Sequence, residues 1–206
     1  MLSNANNGIK DDTRLWVSFE QKMRVVKYTS EGKWLERVAL PSILQQSNNY
    51  DQYNSGLEAI TWHSKYGLLV APEYHLKNEA IEKRVIYSIK NKHYPLRWQV
   101  RALPFPEAGL VAIEAINAEE LLLLERAWSF PFNRAVIALR RINLEDCPSY
   151  QPCPIKNSFL METDKGWGLD NYEGLAQLDD NRFMMVSDDN GMPFQSTLFA
   201  LFSIAK

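Results

Sequence analysis

Long apolar runs are absent from this sequence of 206 residues. No stretch approaches the roughly 20 consecutive apolar residues that a membrane-spanning helix needs, so a membrane partner is not expected. Residues 1–12 are polar and lack the apolar core that defines a secretory signal. The sequence as given therefore predicts a chain that stays in the cytoplasm.

An excess of charge of one sign is also missing. The chain has 23 basic and 25 acidic residues, with a formal net charge of -2. A broad basic field is therefore absent, and nucleic-acid binding is not expected. The sequence also contains no Gly-x-Ser-x-Gly elbow, no phosphate-cradling glycine loop and no dinucleotide fingerprint. These absences argue against a serine hydrolase of that type and against a nucleotide-binding enzyme.

Cysteine and histidine are scarce. The three histidines are scattered and show no metal-binding spacing. The two cysteines, Cys147 and Cys153, lie close together in a proline-rich segment without a nearby histidine, which makes a poor zinc site. In an oxidising compartment they would form a small-loop disulfide, and otherwise they are two isolated thiols. The sequence leaves both alternatives open.

The most informative stretch that is present covers residues 169–190. It reads as two apolar strands joined by a polar turn at residues 179–181, and similar strand pairs occur at residues 56–73 and 109–126. Each pair carries acidic residues at defined places. The first-strand glutamates are Glu58, Glu114 and Glu173, and the acids ending the second strands are Glu20, Glu73, Glu125 and Asp188. A period of roughly 50 residues filled with short strands is typical of propeller blades.

The repeat predicts an all-β fold, a β-propeller-like array of about four antiparallel blades that forms part of a larger propeller. A flexible arm is expected at 1–12 and one domain at 13–206, with units at about 13–55, 56–108, 109–168 and 169–206. Residues 118–126 have the Ala, Glu and Leu of a helix, but their place in the repeat predicts a strand. The first unit lacks its opening strand and the last lacks its outer strand. Exposed edges of this kind predict self-association or a partner segment.

Carboxylates at equivalent positions of successive blades are expected to meet at one mouth of the central channel. Such a ring is costly unless it recruits a cation, an arginine or protons. Oxygen ligands suit Ca²⁺ or Mg²⁺ better than zinc. The alternative is that these acids pair with basic residues or cap turns, since Asp-Asp-Asn after a strand is a turn composition in any fold.

Several segments resemble the phytase-like family described as having "esterase-like activity of phytase", over about residues 13–204. The segments that carry the resemblance are 170–176, 184–190 and 195–201, together with Gly56-Leu57-Glu58-Ala59-Ile60 and Leu124-Glu125-Arg126-Ala127-Trp128. The resemblance implies the later blades of a propeller phytase, in which calcium ions bind substrate phosphate and activate a water molecule. It also implies a family that is commonly exported, which leaves the localisation open.

Carried over residue by residue, the resemblance assigns a site and a small phosphorylated substrate. Glu173 and Asp188 are the implied catalytic residues. The implied metal ligands, for Ca²⁺ or alternatively Mg²⁺, are Glu173, Asp188, Asp189 and Asn190. The implied ligand-binding residues are Arg126, Glu58, Glu73 and Glu125. The alternative is a non-catalytic propeller that binds a ligand or a protein, because few basic residues accompany the acids and phytate is densely anionic.

Overall fold

The computed structural model describes residues 2–3, 14–19, 22–50, 56–90, 96–129, 134–193 and 195–204. Within them the chain is all-β and forms four antiparallel sheets in a propeller-like array, as the repeat predicts. The first sheet contains β1 (Leu2–Ser3), β2 (Arg14–Phe19), β3 (Arg24–Thr29) and β4 (Trp34–Val38). The second contains β5 (Leu57–His63), β6 (Gly67–Pro72), β7 (Lys83–Ser88) and β8 (Arg97–Arg101). A short helix, α1 (Ser42–Gln45), lies between these two sheets in the chain.

The remaining strands form the third and fourth sheets. The third contains β9 (Gly109–Ala115), β10 (Glu120–Ser129), β11 (Arg134–Asn143) and β12 (Ile155–Glu162). The fourth contains β13 (Tyr172–Gln177), β14 (Arg182–Ser187) and β15 (Phe199–Ser203). In every sheet the strands are neighbours in chain order. The first strands of the last three sheets lie together, with β9 in contact with both β5 and β13.

The position of β10 between two other sheets explains its run of leucines. Leu121 and Leu123 pack towards the second sheet, whereas Leu122 and Leu124 pack towards the fourth. A strand enclosed on both faces needs apolar side chains at every position, so its sequence does not alternate. The strand prediction for residues 118–126 is therefore confirmed over Glu120 to Arg126, and the helix propensity of this run is overridden.

One prediction about the sheet edges was wrong and one agrees with the structure. The first sheet has an opening strand, because Leu2 pairs with Val17 and Ser3 with Trp16. These two residues belong to the predicted arm, and residues 1 and 4–12 of that arm lie outside the described residues. The fourth sheet has three strands in the part of the chain that the structure describes, with β15 at its edge.

The cysteines form a disulfide, Cys147–Cys153, which settles the alternative that the sequence left open. Cys153 is buried in the apolar cluster between the second and third sheets, and Cys147 packs against it. Among the described residues, no helix has the length and apolar character needed to cross a membrane.

Candidate functional site

Glu58 and Glu173 occupy the same irregular position in their strands. Leu57 pairs with Pro72 and Ala59 with Ala71, so Glu58 is an extra residue opposite β6. In the fourth sheet Tyr172 pairs with Ser187 and Gly174 with Val186, which leaves Glu173 as the extra residue. A bulge of this kind changes the direction of a side chain and is common beside active sites. Both glutamates are therefore set apart from the regular ladder.

The third sheet has its bulge at Val111, between Leu110, which pairs with Glu125, and Ala112, which pairs with Leu124. Gly109-Leu110-Val111-Ala112-Ile113 thus corresponds to Gly56-Leu57-Glu58-Ala59-Ile60. The repeat in the sequence predicted that Glu114 corresponds to Glu58, and this prediction was wrong by three residues. Glu114 instead accepts hydrogen bonds from Oγ1 of Thr61 and from the backbone N–H of Gln177, both at 3.3 Å.

Arg126 brings the acids of neighbouring sheets together. Its Nη2 lies 2.9 Å from Oε1 of Glu173 and 3.3 Å from Oε1 of Glu73. Glu58 lies close enough for its charge to act on the same guanidinium. We call Arg126, Glu58, Glu73 and Glu173 the Arg126 cluster. Its members come from the second, third and fourth sheets, as the convergence of repeated positions predicts.

Gly109 makes room for this arrangement. It lies opposite Arg126 in the β9–β10 ladder. A β carbon on residue 109 would lie 2.6 Å from Oε1 of Glu73 and 2.7 Å from its Cγ. Glu73 can therefore reach across the end of β9 towards Arg126 only because residue 109 has no side chain. Sequence reasoning missed Gly109, although the correspondence of Gly56 and Gly109 was visible in the repeat.

The cluster keeps its arginine charged. Burial alone would lower the pKa of Arg126, but the negative charges of Glu73 and Glu173 outweigh it and raise the pKa. The neighbouring Tyr74 also has a raised pKa, first because it is buried and then because Glu73 carries a negative charge. The cluster thus pairs a permanent cation with three carboxyl groups.

Glu125 does not join the Arg126 cluster. It is fully buried and forms an ion pair with Arg140, which also donates to the backbone carbonyl of Arg101 at 2.6 Å. Neighbouring residues on a strand point to opposite faces, so Glu125 and Arg126 cannot face the same site. The predicted ligand-binding role of Glu125 has no support in this geometry. Glu20, the corresponding acid of the first unit, lies outside the described residues.

Asp188, Asp189 and Asn190 form an exposed turn after β14. The Asp188 side chain accepts a hydrogen bond from the backbone N–H of Asn190, and the Asp189 side chain accepts one from Gly191, at 3.0 and 2.9 Å. This turn makes backbone contact with the strand that carries Glu173, because the N–H of Asp188 donates to the carbonyl of Asn171 at 3.0 Å. Sequence reasoning did not single out Asn171.

Asn171 links that turn to the cluster. Its Nδ2 donates a hydrogen bond to Oε1 of Glu173 at 2.8 Å, the same oxygen that faces Arg126. The Asn171 side chain is buried. Glu173 is therefore held by two donors and has a fixed orientation.

The geometry does not fit a calcium site built from the four predicted ligands. Over the described ranges, no group of three or more His, Cys, Asp or Glu side chains is placed to hold a metal ion. Glu173 faces Arg126 and Asn171, while Asp188 and Asp189 are used in their own turn. Metal binding by Glu173, Asp188, Asp189 and Asn190 stays a prediction.

Arg126 is the group of the cluster that can bind an anion, and a carboxylate lies beside it. The side chains of Arg126 and Glu173 are 21% and 19% exposed, whereas Glu73 is 6% exposed. A guanidinium grips phosphate or carboxylate oxygens through paired N–H donors. A carboxylate within reach of the bound group can accept a proton from water. Arg126 and Glu173 are the members of the cluster that solvent can reach.

Comparison with known proteins adds the family. No curated protein matches the chain at a significant level. The family model for "Phytase-like: Esterase-like activity of phytase" matches residues 8–191, which include every strand that contributes to the Arg126 cluster. This match confirms the resemblance inferred from the strand motifs. Since it spans most of the sequence, the chain belongs to the phytase-like family.

Proposed function

We propose that the chain is a hydrolase of phosphoric esters and that the ester binds at the Arg126 cluster. The observation that carries the proposal is the convergence of Glu58, Glu73 and Glu173 on one partly exposed arginine. Membership of a family described by esterase-like activity supports the reaction class. The proposed substrate is a small phosphorylated molecule.

In this proposal each accessible side chain has one role. Arg126 binds two oxygens of the phosphate group and neutralises part of its charge. Glu173 accepts a proton from the attacking water, whose oxygen bonds to phosphorus as the ester bond to the leaving alcohol breaks. The leaving oxygen receives a proton from solvent. Asn171 holds the orientation of Glu173 through its hydrogen bond to Oε1.

Charge balance argues for an accompanying cation. Three carboxyl groups face Arg126, and Arg84 is a further cation close enough to interact with Glu73. Carboxylates still outnumber cations here, so an approaching phosphate dianion meets net repulsion. A divalent cation that enters with the substrate would relieve this repulsion, and oxygen-rich surroundings favour Ca²⁺ or alternatively Mg²⁺. The proposal therefore includes Ca²⁺ as a requirement for substrate binding.

The test is hydrolysis of 4-nitrophenyl phosphate, measured with added Ca²⁺ and with a chelator. We expect activity that depends on Ca²⁺ and falls about 100-fold or more in Glu173→Gln, since loss of a general base removes a large part of such catalysis. Arg126→Lys should raise KM more than it lowers kcat. Glu119→Gln is a matched control because Glu119 is exposed and remote from the cluster in its sheet. Activity that persists in Glu173→Gln would exclude the proposed base.

One observation favours a second function, that of a non-catalytic propeller binding a ligand or a protein. Arg126 already has two carboxylate partners, and these ion pairs tie the third sheet to the second and the fourth. The Arg126 cluster would then hold these three sheets together, and the surface around it would bind the ligand or protein. Calorimetric binding of Ca²⁺ without any turnover of 4-nitrophenyl phosphate, or of a carboxylic ester such as 4-nitrophenyl acetate, would favour this function.

A further inference from the structure

A cavity of about 410 Å³ opens between the first and second sheets. It is lined by Trp62 near the end of β5, by Ser64 in the following turn and by Gly67 at the start of β6. Glu58, the β5 residue of the Arg126 cluster, lies at the other end of the same strand. Four residues of extended strand separate Glu58 from Trp62 by roughly 13 Å. The cavity is therefore distinct from the Arg126 cluster.

Two indole rings form one wall of this cavity. Trp16 of β2 and Trp62 of β5 are stacked, with ring centroids 5.3 Å apart and planes inclined by 24°. Both side chains are only partly buried. The floor is apolar and contains the buried residues Leu68 and Ile89. Stacked rings above an apolar floor are suited to a flat ligand group, which can offset-stack on an indole.

Cations surround the rings. Lys27 pairs directly with Trp16 across the β2–β3 ladder, and its Nζ lies 5.4 Å from the Trp16 ring centroid. Arg14 and Lys90 also line the cavity. Among the described lining residues the single acid is Glu36, which is 3.5 Å from Lys27 and mostly exposed. Basic residues thus outnumber acidic ones here, although the chain as a whole has a net charge of -2.

We propose that this cavity binds a small organic anion that carries a flat ring. The ring lies against Trp16 or Trp62, and the anionic group faces Lys90 and Lys27. A volume of about 410 Å³ falls within the range of small-molecule sites, which combine apolar walls with a few placed polar groups. This site does not depend on the proposed hydrolysis, because it shares no residue with the Arg126 cluster.

The experiment is a ¹⁹F NMR titration of the protein with 4-fluorophenylphosphonate, whose carbon–phosphorus bond resists ester hydrolysis. Two matched probes separate the contributions: 4-fluorobenzyl alcohol has the ring without the anion, and methylphosphonate, added as a competitor, has the anion without the ring. We expect 4-fluorophenylphosphonate to bind at least about fivefold more tightly than either, because charge and stacking both contribute. Equal binding of the neutral alcohol would overturn the proposal.

Substitutions show whether the probe binds in this cavity or at the Arg126 cluster. Lys90→Gln changes an exposed side chain and should weaken binding at least about threefold without unfolding the protein. Trp62→Leu should abolish the difference in affinity between 4-fluorophenylphosphonate and methylphosphonate, which lacks the ring. The titrations contain a chelator, because the proposed function makes Ca²⁺ a requirement for binding at the Arg126 cluster. Under this condition Arg126→Lys is the control and should leave the dissociation constant unchanged. If Arg126→Lys weakens binding and Lys90→Gln does not, the anion binds at the Arg126 cluster and the proposed site is excluded.

Discussion

The carboxylate of Glu73 lies against the backbone of Gly109, so close that a β carbon on residue 109 would approach its Oε1 to 2.6 Å. Glu73 directly follows β6 of the second sheet, and Gly109 begins β9 of the third. The same carboxylate faces Arg126, the residue paired with Gly109 in the ladder. One glycine therefore determines whether Glu73 can reach the cluster.

We predict that Gly109→Ala displaces Glu73 from Arg126. The added methyl group forces the Glu73 side chain to move, and overpacking of this kind costs about 1–3 kcal/mol. Urea denaturation should show the loss of stability, and the hydrolysis assay should show a fall in activity. Gly168→Ala is the matched control, because a β carbon there meets no atom within 4 Å. Equal behaviour of the two variants would contradict the role assigned to Gly109.

The next prediction separates Glu125 from Glu173. Glu125→Gln leaves Arg140 buried without a counter-charge, which should lower the free energy of unfolding by about 3 kcal/mol or more. Glu173→Gln, at a partly exposed position, should cost much less stability but change ligand binding and activity. Thermal denaturation and the hydrolysis assay together distinguish the two variants. A large loss of ligand binding in a folded Glu125→Gln protein would show that Glu125 does belong to the ligand-binding site.

Glu114 makes the stability of the array depend on pH. Burial raises the pKa of its carboxyl group to about 7, from an ordinary value of 4.5, against the opposing hydrogen bonds from Gln177 and Thr61. A raised pKa means that the folded chain binds the proton more tightly than the unfolded chain. The contribution of this group to stability is therefore largest below about pH 4.5 and is lost as the pH rises through about 7, a change of about 3 kcal/mol.

Glu114→Gln should remove this contribution to the pH dependence, since the amide stays neutral. We expect the variant and the wild type to differ less in urea denaturation at about pH 5 than at about pH 8, where the variant should be the more stable. The measurement is the denaturation midpoint at both pH values. If the midpoints of the variant and the wild type differ by the same amount at both pH values, Glu114 does not titrate in this range.

The sequence predicts the strands much better than the site. Patterned apolar runs and turn residues define the strands well, and the repeat correctly overrides the helix propensity of the leucine run at 121–124. Alternation could also have separated Glu125 from Arg126 in advance, because neighbours on a strand face opposite ways. The bulges at Glu58, Val111 and Glu173 could not be predicted, since a local shift in strand pairing depends on packing between sheets.

The disulfide should make a modest contribution to stability, because the loop that it closes is short. Cys147 and Cys153 are six positions apart in sequence, for which the chain-entropy relation gives about 2 kcal/mol. We expect Cys147→Ser with Cys153→Ser to lower the denaturation midpoint, and a reducing agent to do the same to the wild type. The double variant should not respond further to reductant. A wild-type midpoint that ignores reductant would show that the bond contributes nothing.

The edge strand β15 leads to a prediction about self-association. Its sequence, Phe199-Ala200-Leu201-Phe202-Ser203, has no charged residue, whereas the last strand of each other sheet has at least two. Those charged residues are Glu36 and Arg37 in β4, Arg97 and Arg101 in β8, and Lys156 and Glu162 in β12. Phe199 and Leu201 are 66% and 72% exposed. Charges protect exposed edges from pairing, so β15 is the least protected of the four.

We expect two copies to pair antiparallel through β15, which places no like charges opposite each other in the added ladder. Leu201→Lys should then shift the protein to a monomer, because two lysines would face each other near the two-fold axis. Leu35→Lys is the matched control, since Leu35 is an exposed leucine on β4, which already has charged residues. Sedimentation velocity over a range of concentrations measures the change. A wild type that stays monomeric at high concentration, or equal effects of both substitutions, would exclude β15 as the interface.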